Sequence, residues 1–95
     1  MKIAIIEDET AAAVNLASIL AQVCPDGEIV CVLESVADTV KWFSENNAPD
    51  VVFLDIHLAD GDAFRIFDKT DIPCPIIFTT AYDQYALDAF RVNSI

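Results

Sequence analysis

The chain has 95 residues, 55% of them hydrophobic, with two glycines and no low-complexity stretch; this describes one compact domain and excludes a disordered tail or a multidomain chain. Sixteen acids against five bases give a net charge of -11, which repels phosphate backbones and anionic membrane surfaces, so direct nucleic-acid binding and membrane binding are not expected. Cys24, Cys31 and Cys74 are widely spaced without a CxxC pair, which indicates neither a disulfide framework nor a zinc site but three reduced core cysteines.

The first element is "KIAII", Lys2 to Ile6, a β-branched run of the kind buried on both faces of a parallel sheet. It reaches acids by Glu7, too early for a signal peptide, and no apolar run approaches membrane-spanning length, so the cytoplasm is the expected compartment. Thr10 can cap a helix. From Ala11 to Val23 the apolar positions Ala13, Leu16, Ala17, Leu20 and Val23 recur at helical spacing, and Pro25 and Gly27 stop the run.

"EIVCVL", Glu28 to Leu33, reads as the second strand. Ser35 followed by Asp38 is a capping-box signal for a helix that carries Val36, Val40 and Phe43 inward. "VVFL", Val51 to Leu54, is the third buried strand, "DGDAFRIFDK" a short third helix after a turn, and "PIIFTT", Pro75 to Thr80, the fourth strand. Asp60 and Asp62 are assigned to that turn and the helix cap beyond it. The last segment, "YDQYALDAFRVNSI", lines up Tyr82, Ala86, Ala89 and Asn93 beside Tyr85 and Val92 as a fourth, amphipathic helix. Strand and helix alternate from end to end, which selects the α/β class with a parallel sheet.

In an open parallel sheet, ligands bind outside the carboxyl ends of the strands. Glu7 and Asp8 follow the first strand, Asp55 the third, and Thr79 and Thr80 end the fourth, so residues far apart in sequence are expected at one edge. Three carboxylates packed there either raise a pKa or recruit a cation. Their hard oxygen donors suit magnesium (Mg2+), which commonly takes one or two carboxylates plus a phosphate oxygen. With the phosphoryl group so held, Asp55 can serve as the nucleophile of an acyl phosphate, and Thr80 can offer a hydroxyl to a phosphoryl oxygen. Taken singly, each acid is more simply a solvated loop residue; their convergence is what favours a site. An EF-hand fits poorly, because Asp60 stands where the invariant glycine belongs.

"IIEDE" after the first strand, "PDVVFLDIHLADGDAF" around the third and "PIIFTTAYDQYALDAFRVNSI" at the end together resemble a response-regulator receiver domain of two-component systems, of the LytTR type that couples a receiver to a DNA-binding output. The likeness runs through residues 1–95. It implies a flavodoxin-like (CheY-like) doubly wound parallel sheet of strand order 2-1-3-4. It also implies that Asp55 accepts a phosphoryl group from a partner histidine kinase, the only chemistry being phosphorylation and dephosphorylation of the domain itself. Asp8 and Asp55 would ligate Mg2+ directly, Glu7 through water, and the backbone carbonyl of His57 would add a ligand. Thr80 would be the switch hydroxyl, while His57 and Tyr82 would flank the phosphoryl group and tune its hydrolysis.

Measured against that family, Ala59 replaces a common proline, and the chain reaches Ile95 before a fifth strand and helix that bring a phosphate-pairing lysine and a switch aromatic. The expectation is therefore a C-terminally incomplete receiver with impaired phosphorylation and an open sheet edge. It would form a homodimer or exchange elements through the region of the fourth strand and helix. Two other readings compete: an aspartyl-phosphate phosphatase of the haloacid-dehalogenase type, which usually wants an acid where His57 stands, and a receiver-like interaction domain that is never phosphorylated.

Overall fold

The computed structural model describes residues 1–79. Its elements run β1 (Lys2–Ile6), α1 (Thr10–Val23), β2 (Glu28–Leu33), α2 (Val36–Glu45), β3 (Val51–Leu54), β4 (His57–Leu58), β5 (Gly61–Asp62), α3 (Arg65–Lys69) and β6 (Ile76–Phe78). The expected fourth helix, with Tyr82, Tyr85, Ala86, Ala89, Val92 and Asn93, lies outside the described residues, as does Thr80.

β2, β1, β3 and β6 form one parallel sheet in that order. This is the α/β architecture and the 2-1-3-4 order expected, with β6 as the fourth strand of the sheet. Alternate residues of each strand face opposite layers. Ile3 and Ile5 of β1 and Val51 of β3 pack with Ala13 and Leu20 of α1, whereas Ala4, Ile6, Val52, Leu54 and Ile76 pack with Val36 of α2 and Ile66 of α3. Both faces of β1 are thereby covered, as a continuous apolar run requires, while β3 is closed on the side of α2 and α3 and leaves Phe53 half-buried in an apolar cleft on the side of α1. Each fully buried Ile or Leu contributes about 1.5–3 kcal/mol by leaving water. Phe64, just before α3, meets Phe78 of β6 edge-on with ring centroids 6.0 Å apart, fastening that helix to the end of the sheet.

β2 joins the sheet with a bulge. Ile3 pairs with Ile29 but Ala4 pairs with Cys31, so Val30 is passed over. The skipped residue reverses the alternation within one strand: Ile29 belongs to the α1 layer, while Cys31 and Leu33 belong to the layer of α2 and α3.

Several details differ from the sequence-based expectations. The N-cap of α1 is Glu9 rather than Thr10, with no side-chain cap hydrogen bond; Thr10 is the first helical residue. Val23, expected inward, is instead 71% exposed as the last residue of α1. Ser35 does cap α2, its hydroxyl accepting from the Asp38 N–H at 3.0 Å, and Val36, Val40 and Phe43 do pack inward. The third helix is confined to Arg65–Lys69, because the residues before it form the small antiparallel pair β4–β5. Gly61 in that pair has φ 141°, a conformation that L side chains rarely adopt, so glycine is required there. The three cysteines are unpaired and half-buried, and burial pushes the Cys31 thiol up to about 11, which keeps it protonated and unreactive at neutral pH. Among the described residues no helix is long and apolar enough to cross a membrane.

Candidate metal and phosphoryl site

The backbone rather than the side chains decides where the acids go. β1 connects through α1 on one face of the sheet to β2, and β3 connects through α3 on the other face to β6. Their chains therefore diverge at the carboxyl ends of adjacent strands and leave a crevice. The last rungs of the ladder hold it rigid: Asp55 N–H donates to Ile6 C=O at 2.9 Å, Glu7 N–H to Leu33 C=O at 2.8 Å, and Thr79 N–H to Leu54 C=O at 3.1 Å.

Three carboxylates meet in that crevice. Glu7, Asp8 and Asp55 each present an oxygen, and these lie within 4.8 Å of one another. Asp55 is 9% exposed at the end of the buried strand β3, Glu7 is half-buried and Asp8 is open to solvent. Glu7 carries the electrostatic consequence: burial, a side-chain hydrogen bond with Asp55 and the charge of Asp55 push its carboxyl from the ordinary 4.5 up to about 7, against a lowering contribution from the Glu9 N–H, which donates to Oε2 at 3.2 Å. A proton shared among carboxylates is one way to relieve such crowding, and a cation is the other. All donors are hard oxygens, spaced to converge on one ion, so the residues present fit a divalent cation of the magnesium kind.

His57 is exposed, and its backbone N–H donates to Asp55 Oδ1 at 3.3 Å, orienting that carboxylate. Beside the trio, Glu7, Thr79 and the α1 residues Ala12, Asn15, Leu16 and Ile19 line a cleft of about 220 Å³. The structure therefore brings together Glu7, Asp8 and Asp55, with His57 and Thr79 adjacent.

The neighbouring acids behave differently from one another. Asp62 acts locally, Oδ1 accepting from the Phe64 N–H at 2.8 Å ahead of α3. Asp60, expected to serve the turn and the cap beyond, instead turns back to the preceding helix: Oδ1 accepts from Val36 N–H at 2.7 Å and Oδ2 from Ala37 N–H at 3.1 Å. Those two bonds hold its carboxyl below the ordinary 3.8. No local signal could have announced a cap 24 residues distant in the chain.

Known proteins share the fold of this chain. No protein-family model matches the chain. The chain is 39% identical, over an alignment of 101 positions including gaps, to the sensory transduction protein LytT of Bacillus anthracis, and 36% identical, over one of 97 positions, to the transcriptional regulatory protein LytR of Staphylococcus aureus. These alignments take in 100% and 99% of this chain but 39% of each relative, so the chain spans about two fifths of their length. Among solved structures, the response regulatory domain of protein mrkE from Klebsiella pneumoniae superposes with a TM-score of 0.80 at 28% identity, covering 100% of this chain and 79% of that one.

Proposed function

Because the chain belongs to the response-regulator receiver domains of two-component systems, we propose that Asp55 is its phosphoacceptor, charged by a partner histidine kinase in the cytoplasm. The observation that carries this reading is the convergence of Glu7, Asp8 and Asp55 within 4.8 Å at the end of β3. One carboxylate oxygen of Asp55 attacks the phosphorus of a phosphohistidine. An O–P bond forms as the P–N bond breaks, and the leaving imidazole nitrogen keeps the electron pair and takes up a proton. Asp55 suits the role because its backbone is fixed by the ladder to Ile6 while its carboxylate faces the crevice. The chemistry ends with phosphorylation and hydrolysis of the domain itself; no separate substrate is turned over.

Asp8 and Asp55 are assigned as direct ligands of magnesium, Glu7 as a ligand through water, and the backbone carbonyl of His57 as a further oxygen. When bound, the ion offsets the carboxylate charge and lets a phosphoryl group approach Asp55. Thr80, the residue after Thr79, is proposed as the switch hydroxyl, and the fourth strand and helix region as the surface through which copies associate. The relative named as a transcriptional regulator supports an output domain of the LytTR type in the longer protein, the target of the switch.

The test is intact-mass spectrometry after treatment with a small phosphodonor and magnesium. One added phosphate on this chain and none on Asp55→Asn is expected. A folded protein that gains none, or a variant that gains one equally, removes the assignment.

A further inference from the structure

The chain has five bases, and three of them gather at one place away from the acid trio: Lys41 of α2 and Arg65 and Lys69 of α3 line a single cleft of about 360 Å³ between these helices. Its apolar part is Val36 and Val40, and its one acid is Asp60. Like charges gathered along one cleft sum to a local positive potential that attracts an anion. Asp60 offsets that potential only in part: its carboxylate is held ionised and attracts Lys69, but it is one negative charge against three positive ones in the lining. Arg65 and Lys69, four residues apart on one helix, project on the same side, and all three basic side chains are exposed.

From this we infer that the cleft between α2 and α3 binds a small phosphate-bearing molecule, its anionic oxygens on Arg65, Lys69 and Lys41 and its organic body on Val36 and Val40. Arginine offers a planar fork matched to phosphate oxygens, and lysine adds mobile point charges. The volume is that of a small-ligand pocket. The charge balance of the lining, three cations and one acid, favours a small molecule that sits within the cleft over a macromolecule that reaches beyond it. An acidic protein would also meet a surface whose total charge is -11.

Isothermal titration of the full chain in EDTA, which keeps divalent ions from bringing phosphates to the acid trio, tests this with adenosine diphosphate as the probe. Saturable binding with a dissociation constant below about 1 mM is expected, with no binding of adenosine. The double variant Arg65→Gln/Lys69→Gln should weaken binding by about tenfold or more, while Lys2→Gln, outside the cleft, should leave it unchanged. A circular dichroism melt confirms that each variant is folded. Absence of saturation up to about 5 mM, binding undiminished in the double variant, or an equal loss in Lys2→Gln overturns the proposal. So does binding of a polyglutamate peptide without binding of the nucleotide, which would point to a protein partner.

Discussion

Asp60 closes the start of the helix that begins at Val36, its two carboxylate oxygens accepting the Val36 and Ala37 N–H groups at 2.7 and 3.1 Å. A helix begins with N–H groups that have no partner within it, and Ser35 accepts from a third, that of Asp38. The loop that leaves Asp55 is thereby tied to α2, with Ala59 N–H donating to Glu34 C=O at 3.3 Å as a second link.

Replacing Asp60 by alanine should lower the midpoint of urea unfolding, and replacement by asparagine should lower it less, because the amide oxygen still accepts one bond. The pH dependence has a definite sign. A carboxyl whose folded-state pKa lies below 3.8 contributes stability above that value and loses it as pH falls through the folded pKa. The difference between wild type and Asp60→Ala should therefore narrow below about pH 4, and a constant gap would contradict the assignment.

Glu7 works in the opposite direction. Its carboxyl titrates at about 7 in the folded chain against 4.5 ordinarily, so between those values the folded state holds a proton that the unfolded state has released. Its contribution to stability is complete below 4.5 and is lost as pH rises through about 7. Magnesium should compensate by replacing the proton. Thermal melts are expected to show a larger rise with magnesium at about pH 8 than at about pH 5, and Glu7→Gln should flatten the metal-free profile.

Asp55→Asn removes one charge from the trio. The metal-free variant should melt at a higher temperature than wild type, since repulsion with Glu7 is relieved, while the stabilisation by magnesium should fall by about tenfold or more in apparent affinity. Calorimetry with added magnesium reads both effects, and a variant that loses metal-free stability would show that the crowding is not repulsive.

Leu54 is fully buried beneath Asp55 in the layer of α2 and α3. Leu54→Ala should cost about 2–5 kcal/mol in denaturant unfolding. Because the ladder bond between Asp55 and Ile6 is made by backbone, the variant that remains folded should still accept phosphate at Asp55, and mass spectrometry of the folded fraction checks it.

Those parts of the fold that rest on burial were legible from residue order. "KIAII" and "VVFL" read as buried strands, and side by side in a parallel sheet they bring Glu7, Asp8 and Asp55 to one edge. What escaped depends on particular tertiary contacts. The pairing of His57–Leu58 with Gly61–Asp62 is too short to show a period, and the partners of Asp60 lie in another helix. Val23 follows the helical spacing of its neighbours but is exposed at the helix end, which spacing alone does not reveal. In "EIVCVL" every residue after the first is apolar, so nothing in the pattern marks where the pairing skips.

That skip makes Val30 a spare residue. Losing one residue from a strand ordinarily turns every later side chain to the wrong side of the sheet. Here Ile29 already faces α1 and Cys31 already faces α2 and α3, so a chain with Val30 deleted could lay Ile29 and Cys31 on consecutive rungs opposite Ile3 and Ala4 with both side chains where they now sit. Such a deletion should be accepted with a cooperative thermal transition retained, whereas deletion of Val32, beyond the bulge, should abolish it. The outer strand of this sheet thus carries a tolerance for length change at one position, and a shorter natural relative could lose its bulge there without repacking either layer.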